Sequence, residues 1–187
     1  RNQAFQPTSG YRTKFEQSIP IVMDQSSIFN NFDMSSYYTV TEDVIGSVKF
    51  LARTIHGLEN EDVRLTSRLY IPRTRLRGFD TRKVGPKDGS DYIGGNYLTT
   101  LNIEAALPNL LPESSRTDIS LFWDNGNVWH VDYDSTIDDT NEIRSSIGIA
   151  ANVWTPVGPL SFTFAEDLNK SINDETEAFN FRIGTSF

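Results

Sequence analysis

A basic segment at residues 72–86, PRTRLRGFDTRKVGP, has the residue types and the spacing of an anion-binding loop. It carries four arginines and one lysine around a single aromatic residue, Phe79. Arginine presents its donors in a planar fork, which suits bidentate binding of a carboxylate or a phosphate. The rest of the chain must indicate the partner of these cations, which are Arg73, Arg75, Arg77, Arg82 and Lys83.

The charge of the whole chain disfavours a nucleic-acid partner. The 187 residues carry a formal net charge of -8, whereas phosphate binding requires a cationic face. The basic segment also lacks the interleaved aromatic residues that stack on bases. We therefore expect no nucleic acid among the partners of this protein.

Catalytic and metal-binding chemistry is weakly represented. The chain has no cysteine, and neither of its two histidines, His56 and His130, forms a convincing nucleophile–base pair with a serine. Glu104 and Asp124 could act as an acid and a base, but neutralisation by the basic segment explains them better. The stretch DYDSTIDD at 132–139 offers oxygen ligands for calcium, yet it lacks the glycine and the terminal glutamate of an EF-hand loop. We therefore expect no enzymatic activity, no cofactor and no metal site.

Alternation of apolar and polar residues identifies the elements that carry these side chains. In the stretch RTDISLFWD, Ile119 and Leu121 alternate with Ser120 and Asp124, which predicts a strand with one apolar and one polar face. Glu104 lies on the polar face of another such strand. The alternating segments are residues 11–19, 37–57, 97–107, 116–124, 145–154, 158–167 and 178–187.

The number and length of these segments suit a membrane. Residues 37–57 predict two strands with a break near Gly46 and Ser47, so the total is roughly eight strands of about ten residues, long enough to cross a bilayer when tilted. No apolar run approaches the ~20 residues of a membrane-spanning helix, and no signal peptide opens the chain. The first residues suggest a strand end, a turn and a new strand, so we expect a fragment of a longer protein.

Two all-β architectures fit this pattern. A soluble sandwich buries its apolar faces against each other, whereas a membrane barrel turns them to lipid and leaves the polar faces in a lumen. The connections are unequal in length, which is typical of outer-membrane barrels, and the polar faces carry charges near mid-strand. These observations favour the barrel, and the charged residues concerned are Arg12, Lys14, Glu16, Glu104, Asp124 and Arg182.

An ordered series of motifs closely resembles the C-terminal half of the barrel in BamA, the family of bacterial outer-membrane β-barrel assembly factors. The series covers nearly the whole chain, residues 1–187. The resemblance implies an antiparallel transmembrane β-barrel of about sixteen strands, of which this chain supplies the last eight or so. The motifs are FQPTSGYR at 5–12, LRGF at 76–79, VGP at 84–86, GGN at 94–96, FWDNGNVW at 122–129, RSSIGIAANVWTPVGPLSFTFA at 144–165 and FNFRIGTSF at 179–187.

The resemblance also implies a site. The loop at residues 58–96 would fold back into the lumen, with Leu76, Arg77, Gly78 and Phe79 at its tip. Arg77 would then pair with Glu104, Asp124 or both on the inner wall. We expect the other four cations of the basic segment to be solvated or to line the lumen without specific pairing. The chain lacks the Gly-Gly pair that many relatives carry before this motif, so the path of the loop into the lumen is left open.

The last strand would be the moving part. In the family, the first and last strands meet at a weak seam that opens to a client strand, and Gly184 is the candidate hinge of this lateral gate. Phe187 matches the terminal aromatic residue of outer-membrane proteins. The implied location is the bacterial outer membrane. The implied partners are outer-membrane lipid, client outer-membrane β-barrel proteins and the accessory lipoproteins of the assembly complex.

Related groups share the loop motif. A TamA-like translocation and assembly protein, or a transporter of two-partner secretion, would carry the same RGF segment on the same fold. A passive porin would lack the tie between the loop and the wall. The sequence of residues 155–165 and of the terminal strand is closer to the assembly factors, so the translocation pores stand as the alternative.

Overall fold

The computed structural model describes residues 7–20, 27–59, 61–134, 136–137, 142–156 and 158–184. Apart from two short 3-10 turns at Leu65–Ser67 and Glu113–Ser115, the regular structure in these residues consists of β-strands. No helix in the described ranges is long and apolar enough to cross a bilayer. In chain order the strands are β1 (Gly10–Ser18), β2 (Ser27–Thr41), β3 (Val44–Gly57), β4 (Lys87–Asp88), β5 (Asp91–Tyr92), β6 (Tyr97–Leu107), β7 (Thr117–Trp129), β8 (Arg144–Thr155), β9 (Gly158–Asn169) and β10 (Phe179–Ile183).

Eight of the strands described here form one antiparallel sheet in the order β1-β2-β3-β6-β7-β8-β9-β10. Each strand pairs with the previous and the next long strand of the chain, so the sheet is a meander. β4 and β5 form a small separate hairpin inside the loop between β3 and β6. The sheet is open, because β1 and β10 lie at its two edges. The predicted all-β, antiparallel fold class is confirmed.

The connections differ between the two ends of the sheet. Residues 42–43, 108–116 and 156–157 connect strands at one end, and residues 19–26, 58–96, 130–143 and 170–178 connect them at the other. Successive connections of an antiparallel meander must alternate between the ends. The longest segments therefore gather at one end of the sheet, as the unequal loops of the sequence predicted.

The predicted break near Gly46 and Ser47 is wrong. Both residues lie inside β3, where Gly46 is opposite Tyr38 of β2 and Ala105 of β6. The chain instead turns at residues 42–43. A glycine weakens a strand, but pairing on both sides maintains it, and two polar residues form the turn. β2 also includes residues 27–36, which the sequence pattern did not predict as a strand.

The two faces of the sheet have different surroundings. Apolar side chains of one face are exposed, among them Leu101 at 37%, Leu121, Trp123 and Ile147 at 44–49%, and Phe164 at 58%. No second layer of the described chain covers this row, so the sandwich expectation is not met. The exposed area is far more apolar than a water-facing strand row, as the lipid-facing side of a barrel must be.

The opposite face is covered by the loop between β3 and β6. Leu76, Phe79 and Val84 of the loop pack with Leu51 and Val128 of the strands in one buried cluster. Burial of each large apolar side chain stabilises the packed state by about 1.5–3 kcal/mol. This packing holds the basic segment against the polar face of the sheet. The cluster also includes Ile55, Val63, Leu69, Ile71 and Leu98.

Candidate functional site

The basic segment, residues 72–86, which we call the motif loop, reaches the middle of the sheet. Its turn is closed by the Arg75 amide, which donates to the carbonyl of Pro72 at 2.8 Å. Gly78 has φ +89, and a Cβ at this position would lie 2.9 Å from Cβ of Ala165 and 3.2 Å from Cβ of Ser146. Only glycine combines this backbone conformation with such a close approach to β8 and β9.

Arg77 lies between the two carboxylates that the sequence analysis singled out. Its Nε donates to Oδ2 of Asp124 at 2.7 Å, and its Nη2 donates to Oδ1 of the same carboxylate at 2.9 Å. Nη1 donates to Oε2 of Glu104 at 2.8 Å. The guanidinium also lies over the ring of Phe122, with Cζ 3.6 Å from the ring centroid. The two-pronged contact with Asp124 is the geometry in which arginine binds a carboxylate most strongly.

The site is shielded from water on the wall side. The Asp124 side chain is fully buried, while those of Arg77 and Glu104 keep 15% and 22% of their surface exposed. Nδ2 of Asn102 donates to Oδ1 of Asp124 at 2.8 Å, and the backbone amide of Arg77 donates to Oδ2 at 3.0 Å. Ser146 Oγ donates to the carbonyl of Arg77. The loop is therefore attached to β6, β7 and β8 by polar contacts.

Charge balance keeps Arg77 ionised. Burial lowers the pKa of Arg77, but hydrogen bonds and Coulombic attraction from Asp124 and Glu104 outweigh it, so the pKa lies above its ordinary value. One guanidinium faces two carboxylates and forms ion pairs with both. This arrangement is suited to holding a loop rather than to acid–base catalysis.

The remaining motif residues pack rather than bind. Leu76 and Phe79 are almost completely buried in the apolar cluster under the loop. Phe79 also forms an isolated antiparallel bridge with Thr176, in the connection between β9 and β10. Both side chains thus fix the position of the segment that carries Arg77.

Of the other cations of the motif loop, Arg75 is paired and largely buried, contrary to expectation, whereas Arg73, Arg82 and Lys83 have contacts but keep much of their surface exposed. Arg75 forms an ion pair with Asp33 of β2. The backbone carbonyl of Arg75 accepts Nδ2 of Asn102 at 2.8 Å. Arg73 lies 3.7 Å from Glu177. The guanidinium of Arg82 stacks over the ring of Tyr70, and Lys83 contacts Asp80 and Glu175. Sequence reasoning missed Asp33 because its strand, residues 27–36, was not recognised.

A second ion pair fixes the base of the loop. The Arg68 side chain is fully buried and contacts Asp132, and its Nη1 donates to Oδ1 of Asn96 at 2.8 Å. Oδ2 of Asp132 also accepts the Val63 amide at 2.9 Å. The oxygens of Asp132, a calcium candidate in the sequence, are therefore already bound. No group of three acidic or histidine side chains in the described residues forms a metal site.

The two histidines lie beside the base of the loop, where the carbonyl of His130 accepts the amide of Asn96 at 2.8 Å. His56 and His130 both pack against the ring of Tyr97, with ring centroids 5.3 Å and 5.2 Å from it. Trp129 stacks on the same ring at 5.8 Å. Such an aromatic group near strand ends is typical of the interface between membrane and water.

The candidate hinge residue, Gly184, lies beside the last strand of the sheet. β10 ends at Ile183, so Gly184 directly follows the last strand and does not lie inside it as predicted. Gly184 has φ +109, and its amide donates to the carbonyl of Pro159 at 2.9 Å. The terminal residue, Phe187, lies outside the described residues. The contacts of Gly184 are compatible with a bend there, and its hinge role stays a prediction.

An open meander with a lipid-facing apolar row, and with a loop attached to its polar face, defines an outer-membrane β-barrel of the kind that contains an inward-folded loop. A model of the Omp85 superfamily domain matches residues 1–187. The chain belongs to the Omp85 superfamily, whose members are bacterial outer-membrane proteins.

Curated relatives carry one name. The chain is 31% identical over 142 residues to "Outer membrane protein assembly factor BamA" of Neisseria meningitidis, a match covering 60% of this chain and 17% of that protein. It is 27% identical over 189 residues to the protein of the same name from Neorickettsia risticii, covering 98% of this chain and 25% of the relative. The chain therefore spans a quarter or less of the length of these relatives.

A solved structure shares the fold. The chain is similar to the crystal structure of BamA from Haemophilus ducreyi lacking POTRA domains 1-3, with a TM-score of 0.86 and 24% identity. The match covers 96% of this chain and 39% of that one. The open sheet is therefore a partial barrel of the BamA type.

Proposed function

We propose that this chain is the C-terminal part of a barrel that assembles and inserts other β-barrel proteins into the bacterial outer membrane. The observation that carries the proposal is the buried contact of Arg77 with Asp124 and Glu104 in a chain of the Omp85 superfamily. The names of the relatives support an assembly factor rather than an enzyme. The Arg77 contact gives the loop a fixed position inside the barrel.

Insertion would use the edge of β10 as a template. An edge strand presents unpaired amides and carbonyls, to which an incoming strand can add. Within the described residues, the register of β10 with β9 covers residues 179–183, and the amide of Gly184 also donates to the carbonyl of Pro159 in β9. A bend at Gly184 would let the end of the last strand separate from the first strand of the barrel. The client would be another outer-membrane β-barrel chain.

The remaining partners follow from the same proposal. Outer-membrane lipid would contact the exposed apolar row of the sheet. Accessory lipoproteins of the assembly complex would bind parts of the full-length protein. A gate that opens in the membrane plane would release each client directly into lipid.

A disulfide across the seam tests the proposed gate. In the full-length protein, Ile183→Cys would be combined in turn with a cysteine at each position of the first barrel strand. We expect the oxidised pair to abolish client insertion and growth, and a reducing agent to restore both. Insertion would be measured as the folded fraction of a newly made client barrel.

A disulfide inside the sheet supplies the matched control. Phe162 and Phe181 are opposite each other in β9 and β10, so Phe162→Cys with Phe181→Cys links the last two strands and leaves the seam free. This pair should allow insertion. Normal growth of cells whose seam is fully cross-linked would refute the gate.

A further inference from the structure

The connection between β9 and β10, residues 170–178, is hydrogen-bonded along the backbone of the motif loop. The amide of Asp80 donates to the carbonyl of Glu175 at 2.9 Å. The amide of Glu175 donates to the carbonyl of Lys83 at 3.0 Å, and that of Glu177 donates to the carbonyl of Gly78 at 3.0 Å. These bonds form a short backbone ladder around one isolated antiparallel bridge, although the two segments are far apart in sequence.

This backbone ladder continues into the last strand. Phe79 and Thr176 are directly opposite each other in this ladder. They form a non-hydrogen-bonded pair, because the bonds are made by their neighbours and their own amides point away from the ladder. Two residues further on, the carbonyl of Ala178 accepts the amide of Ala165 of β9 at 2.9 Å. β10 begins at the next residue, Phe179. Any movement of β10 away from the sheet therefore pulls on the contacts of the motif loop.

One buried carboxylate fixes this junction. Asp174 accepts Nε of Arg144 at 2.8 Å and the amide of Ser171 at 2.7 Å, both on Oδ2. Its Oδ1 accepts the amide of Gly85 and Nη2 of Arg144, each at 3.2 Å. The side chains of Arg144 and Asp174 are 2% and 0% exposed. A single side chain thus joins β8, the motif loop and the connection to β10.

The exposed ion pairs between the same segments contribute less. Lys83 contacts Glu175, and Arg73 lies 3.7 Å from Glu177, but the side chains of both pairs are substantially exposed to solvent. Ion pairs in such positions are screened and contribute little to stability. The backbone ladder and Asp174 are therefore the main link between the loop and the last hairpin.

We infer that Asp174 is a positioning residue that couples the seating of the motif loop to the last strand of the sheet. The physical link stands on the contacts above, and its use in gating rests on the proposed function. When β10 moves, the ladder either carries the loop with it or breaks. When Arg77 leaves the wall, the ladder loses its support and β10 is loosened. Coupling of this kind acts equally in both directions.

Hydrogen exchange of the full-length protein in lipid tests the coupling. Asp174→Asn keeps the size of the side chain and removes its charge. We expect amide exchange to rise about fivefold or more in residues 171–178, in the motif loop and in β10 together. Arg77→Gln, which acts at the other end of the link, should raise exchange in residues 171–178 and in β10 by a similar factor. Exchange in β1, which has no contact with the motif loop among the described residues, should remain unchanged in both proteins.

A pair of substitutions at Glu177 separates the ladder from its side chains and leaves Asp174 in place. Glu177→Pro removes the amide that donates to Gly78, and the preceding Thr176 lies in an extended bridge, which tolerates a following proline. Glu177→Ala removes the side chain and keeps the amide. Only the proline variant should raise exchange in the motif loop. This test of the backbone link between the motif loop and the last hairpin remains decisive even if Asp174→Asn fails to fold.

Confined effects would overturn the inference. If Glu177→Pro and Arg77→Gln each raised exchange only around their own position, the loop and the last hairpin would be independent. Coupled exchange together with normal growth of a cross-linked seam would reject the proposed function and leave the link. Independent exchange, together with loss of growth when the seam is cross-linked, would reject the link and leave the proposed function.

Discussion

At the scale of single residues, the contact between Arg77 and the wall depends on the charges of the paired side chains, which a neutral substitution would remove. Asp124 is fully buried and receives the backbone amide of Arg77, two of its guanidinium nitrogens and Asn102. Removing one partner of a buried ion pair leaves the charge of the other buried and unpaired. In the intact pair, the mutual attraction offsets the cost of burying each charge. Asp124 is thus the position where a small chemical change should matter most.

Asp124→Asn should destabilise the full-length barrel by about 3–5 kcal/mol, because Arg77 loses the fully buried one of its two carboxylate partners. The check is the urea midpoint of the folded barrel, together with its ability to support growth. Asp167→Asn is the matched control, since Asp167 pairs with Lys170 at 3.0 Å and both side chains are partly exposed, so its loss should have little effect. Equal midpoints for the two variants would contradict the role assigned to Asp124.

At the scale of elements, the loop between β3 and β6 is attached at its base as well as at its tip. Burial raises the pKa of Asp132, but the Val63 amide, Asn96 and Arg68 outweigh it, so the pKa of this carboxyl lies below its ordinary value. A carboxyl whose pKa is lowered on folding stabilises the protein at pH values above its unfolded pKa. This stabilisation disappears as the pH falls through the lower pKa of the folded state.

The base of the loop should therefore weaken in acid. At neutral pH, Asp132→Asn should unfold at a lower urea concentration than the parent protein. The difference should shrink below the ordinary aspartate pKa of about 3.9 and vanish at still lower pH. Urea unfolding followed by tryptophan fluorescence at a series of pH values measures this. A difference that does not change with pH would show that the charge of Asp132 is irrelevant.

At the scale of the whole molecule, the apolar row is an exposed surface that is unfavourable in water. Leu121 and Trp123 of β7 and Ile147 of β8 lie in this row, and each is more than 40% exposed. In a barrel these side chains face lipid, and the opposite face encloses the loop. The fold is thus turned inside out relative to a soluble β-protein, with its polar interactions inside.

Leu121→Arg should impair folding into lipid by about 2–4 kcal/mol if this position lies near the bilayer midplane. Leu110→Arg is the control, because Leu110 is also exposed but lies in the connection between β6 and β7. Folding of the full-length protein into lipid vesicles, followed by gel mobility, measures both. An equal loss in the two variants would contradict a lipid-facing row.

The alternation of apolar and polar residues and the tertiary contacts determine different features of this protein. Alternation predicted most of the long strands and the side on which Glu104 and Asp124 lie, because successive side chains of a strand must point to opposite faces, but it left out residues 27–36. It failed at Gly46, where pairing on both sides keeps the strand intact. The partner of Arg77 followed from strand parity together with the family resemblance.

Contacts between distant segments were decided only by the tertiary structure. The pairing of Arg75 with Asp33, and of Arg144 with Asp174, joins residues whose separation in the chain leaves no periodic signal. The path of the motif loop across the sheet brings these residues together, and that path depends on the burial of Leu76 and Phe79. The sequence by itself determined which faces are apolar and which residue types could pair, since these are properties of short segments. Which carboxylate meets which arginine depends on how a long loop packs, and only the folded chain decides that.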